Sequence, residues 1–354
     1  MSDRPTLAQS WFPDMTGGRW ALSGFAALAA AALPLVLSNQ YYLSVAVTTL
    51  VLLVLNISWN FVLGVAGVWN FGQLAIYALG GYGAGIIMLH SSVSPWLALL
   101  AGGLIGTVAA VLLAFPTLRL YGIYTSLLTF AFAEVIQYVI LNDGSGVTGG
   151  SFGLPGVSGL FGSLSLNAQN RAYYWTILVI ALIATLALAA VGRSSLGIAL
   201  RGVRDAPAYA AARGVNPLRY RIVAFAISGF VAGIAGGLYV CAEGSISPSV
   251  MGLTPMSLYV TMLVIGGLGT ATGPILGTIL VQIVGTVLVT HPGAEFTILG
   301  VFLLIVVIFV PDGLAGVVGR YWRRIGAWAA EGEGEGEGGP VTDEAEGGSK
   351  PDVA

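Results

Sequence analysis

The feature that most constrains this chain is a series of apolar blocks almost empty of charge, among them Trp20 to Leu37, Val51 to Leu63, Trp175 to Val191 and Phe296 to Val310. A helix of about 20 apolar residues crosses the hydrocarbon of a bilayer, where every backbone N–H and C=O must be bonded inside the protein. The ten-residue alternating strands of an outer-membrane barrel are missing, so the blocks read as helices. Composition removes the soluble alternative. Charged residues are 8% of the 354 and hydrophobic ones 56%, against roughly 25% charged in an ordinary soluble domain. The chain cannot cover a large core with a charged surface.

The blocks divide into about ten spans, near 20–37, 41–63, 74–90, 95–115, 121–141, 172–191, 221–242, 256–270, 274–290 and 296–310, which predicts an all-α polytopic membrane protein. Arg4, Arg19, Arg119, the six arginines from Arg193 to Arg221, Arg320, Arg323, Arg324 and Lys350 then fall on one side, 13 of the 14 basic residues. Arg171 falls on the other. The positive-inside rule makes the first side cytoplasmic, with both termini inside.

The chain is thus expected to divide into a cytoplasmic segment 1–19, a transmembrane domain 20–318 and a tail 319–354. Residues 142–171 form an external loop rich in Gly and Ser, and residues 192–220 the main cytoplasmic loop. From Glu331 the run EGEGEGEGG and the acidic remainder lack apolar content, so a disordered tail is expected. Met1 to Arg19 is polar and includes Asp3 and Asp14, which makes the first apolar block a retained helix rather than a cleaved signal. Cys241 stands alone, so cysteines build neither a disulfide framework nor a metal cluster. His90 and His291 have no partner cluster that would favour metal binding or catalysis. Trp69, Trp96, Trp175 and Trp322 fall at span ends, where an interfacial belt is the default.

Glycine is the second organising feature. Gly81 and Gly85, Gly233 and Gly237, and Gly269, Gly273 and Gly277 recur at four-residue spacing, which puts small residues on one helix face and lets backbones approach. In 64–73 and in 266–273, which includes Gly266 and Gly267, glycines coincide with polar residues. Irregular backbone at membrane depth is tolerated only where it is buried in protein or lines a cavity, so these two stretches are expected beside a pathway. Asn60, Asn70, Gln73 and Gln282 either line that pathway or bond helix to helix. Glu134 is the carboxylate well inside a predicted span. A charge there costs on the order of 2.5–3.5 kcal/mol, so it faces protein or water. It can meet a substrate ammonium, or bond Gln137 and a neighbouring helix.

The loop after the sixth span carries the most specific pattern. Ser194 or Ser195 can cap a short helix through Arg204, and Asp205 a second one, with Pro207 in its first turn and Gly214 as terminator. Ala208 to Ala212 leaves a small, smooth face. Two short basic helices of this kind fit a groove on another protein, or their arginines contact anionic lipid.

Here the chain resembles a family. Gly197, Arg201, Arg204-Asp205, Ala211 and Gly214, followed by Asn216, Ala224-Phe225 and the run Ala232 to Gly237, are similar to the coupling loop of branched-chain amino-acid ABC permeases of the LivM type. NFVLGVAGVWNFGQLAIYALGGYGAG (60–85) resembles the family's first membrane block, TGGSFGLPGV (148–157) its outside-loop signature, VIGGLGTATGPILGT (264–278) its late glycine block, and Pro311-Asp312-Gly313-Leu314 its terminal motif. The resemblance covers roughly residues 45–316. It implies an importer of the bacterial inner membrane with a second, LivH-type permease subunit, a pair of cytoplasmic ATPase subunits and an external solute-binding protein. The loop at 196–215 would dock in an ATPase groove. No G-x-x-x-x-G-K-[ST] phosphate loop occurs, so ATP and its Mg belong to partner subunits and this chain binds no cofactor, is not an enzyme and takes no nucleic acid. Two residues depart from the pattern. Ala206 and Pro207 follow Asp205 where a second acid is usual, and Phe71-Gly72-Gln73 replaces a Leu-Gly-His. The second departure bears on substrate identity, and urea or a short amide is the alternative solute, since such permeases look alike in these blocks. An ion-coupled secondary transporter would show more intramembrane charge than Glu134, and a membrane enzyme would need acids, His or Lys gathered at one face.

Overall fold

Where the sequence is apolar and unbroken, the backbone is helical. The computed structural model describes residues 33–34, 39–120, 122–157, 159–162, 165–270, 272–288, 300 and 313–316. Helix α1, Gln40–Asn60, runs into a π-helical turn, Phe61–Val65. Then come α2 (Gln73–His90), α3 (Pro95–Thr117), α4 (Ile123–Leu141) and α5 (Leu166–Arg193). The short helices α6 (Ser195–Asp205) and α7 (Pro207–Ala212) precede α8 (Pro217–Glu243), α9 (Leu253–Gly266) and α10 (Gly273–Leu288).

Among the described residues, five helices are long and apolar enough to cross a membrane: α1 with its π-turn, α3, α4, α5 and α8. Helices α9 and α10 are shorter and apolar. The chain is an all-α polytopic membrane protein. Apart from residues 33–34 and 300, the expected spans 20–37 and 296–310 lie outside the described residues, as do segments 1–19 and 319–354, with Arg4, Arg19, His291, Arg320, Trp322, Arg323, Arg324 and Lys350.

Helix ends follow local chemistry. Asn39 accepts from Tyr41 N–H at 2.9 Å to start α1. Asn216 accepts from Leu218 N–H at 3.0 Å ahead of Pro217, and Gly244 closes α8 in the left-handed region at φ 69°. Three expectations are corrected. Helix α5 begins at Leu166 instead of near 172, so the last residues of the expected external loop 142–171, Arg171 among them, are helical. Helix α9 stops at Gly266 instead of near 270, because Gly267 turns to φ 107°. Neither Ser194 nor Asp205 caps a helix through its side chain: Ser194 holds the N-cap position of α6 but its hydroxyl donates back to Val191 O at 2.7 Å, and Asp205 is the last residue of α6 with its carboxylate on Arg204. A two-residue antiparallel ladder, β1 (Leu154–Pro155) with β2 (Ser245–Ile246), ties the loop after α4 to the end of α8.

Helices α2, α3 and α8 form a tight bundle, with α1 between α8 and α5 and the α9–α10 pair against α1. The bundle is a glycine seam. A β-carbon at Gly106 of α3 would lie 2.8 Å from Gly233 Cα of α8, one at Gly102 would lie 2.7 Å from Gly80 O of α2, and one at Gly80 would lie 2.7 Å from Gly233 O. Lipid gives helices no hydrophobic drive toward each other, so such backbone contact is a main source of cohesion. Gly81 and Gly237 border the same seam, their β-carbon positions 2.9 Å from Gly236 O and 2.8 Å from Leu99 Cδ2. Gly85 is looser, at 3.3 Å from Val240 Cγ1.

Candidate functional site

The first irregularity in an apolar stretch is the end of α1. Its last hydrogen bonds widen to the π pattern, Ala66 N–H to Phe61 O at 3.4 Å, with Val68 N–H reaching Val62 O at 3.2 Å. Gly67 then takes φ 70° and the chain stays non-helical until Gln73. Such π-turns are frequent at functional sites. Non-helical backbone in apolar surroundings needs partners, and a neighbouring helix and the break itself supply them. Thr129 of α4 accepts from Phe71 N–H at 3.0 Å, and Asn70 Oδ1 accepts from Gly72 N–H at 3.0 Å.

Gln73, at the start of α2, organises the rest. Its Nε2 donates to Ser228 Oγ of α8 at 2.8 Å and to Ser58 Oγ of α1 at 3.1 Å. Its Oε1 accepts from Asn70 Nδ2 at 2.9 Å, and Ser228 Oγ donates to Ser58 O at 2.8 Å. Asn70 and Gln73 are buried and every amide group of Gln73 is engaged.

A second break separates α9 from α10. Gly267 and Gly269 hold φ 107° and 76°, a region that costs side-chain-bearing residues most. Asn60, in the last turn of α1, spans this break: its Nδ2 donates to Thr270 O at 2.8 Å and its Oδ1 accepts from Gly269 N–H at 2.9 Å. Thr270 Oγ1 donates to Gly267 O at 2.9 Å and accepts from Gly273 N–H at 3.0 Å. Gly273 is a close-approach position too, since its β-carbon would lie 2.5 Å from Thr270 Oγ1, and Gly266 and Gly277 pack backbone to backbone. One turn before Asn60, Asn56 Nδ2 donates to Thr278 Oγ1 of α10 at 2.8 Å. The two breaks are therefore linked through one helix end. Between them is a small apolar cleft walled by Trp59, Leu63, Trp69, Phe71, Leu263 and Leu268, with Asn70 as its polar residue.

Two expected pathway residues stand apart from this network. Glu134 is half-buried on α4, and Gln137 donates to Pro248 O at 3.2 Å instead of to Glu134. Gln282 is half-buried on α10, where its backbone carbonyl accepts from Thr286 Oγ1 at 2.8 Å. Asn56, Ser58, Thr129 and Ser228 were not singled out by sequence. Asn56 was findable as a polar residue one turn from Asn60 in an apolar span, whereas a lone Ser or Thr gives no such signal.

The α6–α7 loop forms the other feature. Gly197 seats α6 against the end of α5, its β-carbon position 2.6 Å from Val191 O. Leu200 and Val203 are buried beneath α6, and Arg201 is half-buried. Burial first, then the neighbouring Arg204 charge, lowers the proton affinity of the Arg201 guanidinium, with Asp205 opposing. Arg204 pairs with Asp205 at 2.7 Å and also donates to Gly64 O in the π-turn. On α7, Tyr209 and Ala211 are exposed, Arg213 lies over the Tyr209 ring at 5.1 Å, and Gly214 ends the turn at φ 83°. The arrangement is a broken helix pair within a glycine-packed bundle, with a short-helix loop bonded to one of the breaks.

Comparisons agree with this architecture. Residues 41–311 match the family described as branched-chain amino acid transport system / permease component. The chain is 27% identical over 313 residues to the high-affinity branched-chain amino acid transport system permease protein LivM of Escherichia coli (strain K12), covering 82% of this chain and 73% of that protein. It is 27% identical over 294 residues to the Salmonella typhimurium protein of the same name, covering 76% and 69%. It is 23% identical over 292 residues to the probable branched-chain amino acid transport permease protein LivH of Methanocaldococcus jannaschii, covering 78% and 91%. No solved structure matches. With the matched region spanning the helices, both breaks and the α6–α7 loop, the chain belongs to the branched-chain amino acid transport system permease family.

Proposed function

We propose that this chain is the substrate-conducting permease subunit of an ABC importer for branched-chain amino acids. The observation that carries the reading is the pair of helix breaks at 61–72 and 267–272, joined through Asn60 beside an apolar cleft. Interrupted helices are where transporters build pathways. The cleft has a volume of about 10 Å³, about what one water needs, so its Trp, Phe and Leu form an apolar side of the route that must widen before an aliphatic side chain can pass.

In this reading the chain crosses a bacterial inner membrane about ten times, its arginine-rich side and both termini in the cytoplasm. It pairs with a LivH-type permease, receives solute from an external binding protein, and takes its driving force from a pair of ATPase subunits that hold ATP and Mg. Gly197, Arg201, Arg204, Asp205, Ala211 and Gly214 belong to the loop that meets those subunits, with the exposed face of α7 as the docking surface. Asn60, Asn70 and Gln73 shape the pathway by holding its walls, while Glu134 and Gln282 stand on flanking helices. Gln73, the departure that bears on solute identity, has its amide fully engaged by Ser58, Ser228 and Asn70 and offers no group to a solute.

The test is ATP-dependent uptake of radiolabelled leucine, isoleucine and valine into proteoliposomes holding the chain with its partner permease, ATPases and binding protein. Accumulation of all three is expected. Uptake of urea in place of leucine, or uptake driven by an ion gradient without ATP, would overturn the reading.

A further inference from the structure

Arg204 stands in the loop assigned to partner contact, yet its side chain faces away from that surface. Its side chain is 17% exposed, against 62% for the adjacent Asp205. The guanidinium donates to Gly64 O, in the π-turn that ends α1. The aliphatic stem lies across Gly67, where a β-carbon would come within 2.7 Å of Arg204 Cδ and 3.0 Å of Arg204 Cβ.

The backbone explains why a cation belongs there. The last carbonyls of a helix have no intrahelical donor. Here a π-pattern bond uses Phe61 O and a wider, six-residue bond from Val68 N–H uses Val62 O, while Gly67 turns the chain away at φ 70° and removes the donors that a continuing helix would send to Gly64 O. A guanidinium at a helix C-terminus satisfies that carbonyl and complements the negative end of the helix dipole. Asp205 holds the guanidinium in place with two bonds, Nε to Oδ1 at 2.7 Å and Nη2 to Oδ2 at 3.3 Å. The pair is thus a bracket with its carboxylate at the loop surface and its cation on the membrane helix.

We propose that Arg204 is a positioning residue that ties the α6–α7 loop to the end of α1, so that displacement of the loop reaches the break at 61–72 and the cleft beside it. Leu63, next to the bonded carbonyl, and Trp69, Asn70 and Phe71 in the same break all line that cleft. The inference rests on the importer reading for the source of the displacement, whereas the bond itself belongs to this chain alone. It assigns Arg204 to transmission into the membrane and not to partner docking.

Two measurements test it, with R204A and R204K in the full chain. In the reconstituted importer, solute taken up per ATP hydrolysed should fall tenfold or more in R204A, with the subunits still co-purifying. R204K, which keeps a charge and a donor for Gly64 O, should recover that ratio to within about threefold of the parent. In the chain by itself, with C241A and A66C added, labelling of position 66 by an aqueous maleimide should rise fivefold or more when R204A is introduced, because the break is no longer held. An unchanged uptake-to-hydrolysis ratio or unchanged labelling in R204A overturns the proposal, as does R204K behaving like R204A. If R204A prevents assembly, the ratio is read from R204K and the labelling decides for R204A. If the parent chain recovers no ATPase partner while labelling still responds to R204A, the importer reading fails and the bond from Arg204 to α1 stands.

Discussion

Asn60 and Thr270 lie 210 residues apart in the chain, yet the Asn60 amide nitrogen donates to the Thr270 carbonyl at 2.8 Å, across the gap between α9 and α10. The amide oxygen takes the Gly269 N–H at 2.9 Å, so one side chain serves a donor and an acceptor of the same part-buried turn of backbone.

Replacing Asn60 by Leu fits the apolar surroundings but leaves both backbone groups unpaired. Each buried unpaired group costs about 1–3 kcal/mol. N60L should lower the thermal midpoint of the detergent-solubilised chain and reduce transport at least tenfold. N60D keeps the acceptor for Gly269 but loses the donor to Thr270, and should retain some order in the turn. Equal stability of N60L and the parent in a thermal unfolding scan would show that the break is held elsewhere.

The glycine seam predicts a position-specific penalty for one methyl. G106A places its β-carbon 2.8 Å from Gly233 Cα and 2.5 Å from Gly229 O, so α3 and α8 must separate. Overpacking of this kind costs about 1–3 kcal/mol. The β-carbon of G285A meets nothing within 4 Å in α10, and alanine there should be neutral or stabilising by roughly 0.5–1 kcal/mol, the helix preference over glycine. Paired thermal unfolding of the two variants checks the contrast; loss of stability in both or in neither contradicts the seam.

Gln73 should matter for stability and not for solute choice. Q73L strips the hydrogen-bond donors from Ser58 and Ser228 and the acceptor from Asn70. Lower stability with an unchanged ratio of leucine to urea uptake is expected. A shift of that ratio toward urea would place Gln73 in contact with the solute.

The loop after α4 has a pH signature. The Asp143 carboxylate accepts from Ser145 Oγ at 2.5 Å and from Thr148 N–H and Oγ1 at 2.7 Å each. These bonds, the one from the Ser145 hydroxyl foremost, hold its carboxyl well below the usual range. A depressed carboxylate contributes its stabilisation fully above the unfolded value, about 4 for aspartate, and loses it as pH falls toward the folded value. Relative amide protection at Thr148 should therefore stay level from pH 8 to 5 and fall only in strong acid. D143A should lack it throughout, and loss of protection in the parent between pH 7 and 5 would exclude the carboxylate as its source.

Much of the helical frame was legible because apolar length is a local property. Spans near 41–63, 95–115 and 221–242 reappear as α1, α3 and α8 with ends moved by a few residues. The breaks were legible only as glycine next to polar residues. That the π-turn ending α1 is met by Arg204, or that Asn60 serves the α9–α10 break, depends on partners 140 and 210 residues away in the chain. The seam was half legible: Gly102 and Gly106 have the same spacing as Gly229 and Gly233, but spacing names a face and not what lies against it. The direction of Arg204 was hidden for a similar reason. Arg204 and Asp205 are adjacent in sequence, and nothing local says which one turns toward the membrane helix.

The seam between α2, α3 and α8 also sets how this protein can change over generations. Where leucines and valines meet, a gain of volume at one position can be answered by a loss at its neighbour, and such cores drift through many combinations. At Gly80, Gly102, Gly106 and Gly233 the neighbour is already another glycine or its backbone. No smaller residue exists to make room, so a first substitution has no second one to rescue it. At those four positions the three helices are fixed, letter by letter.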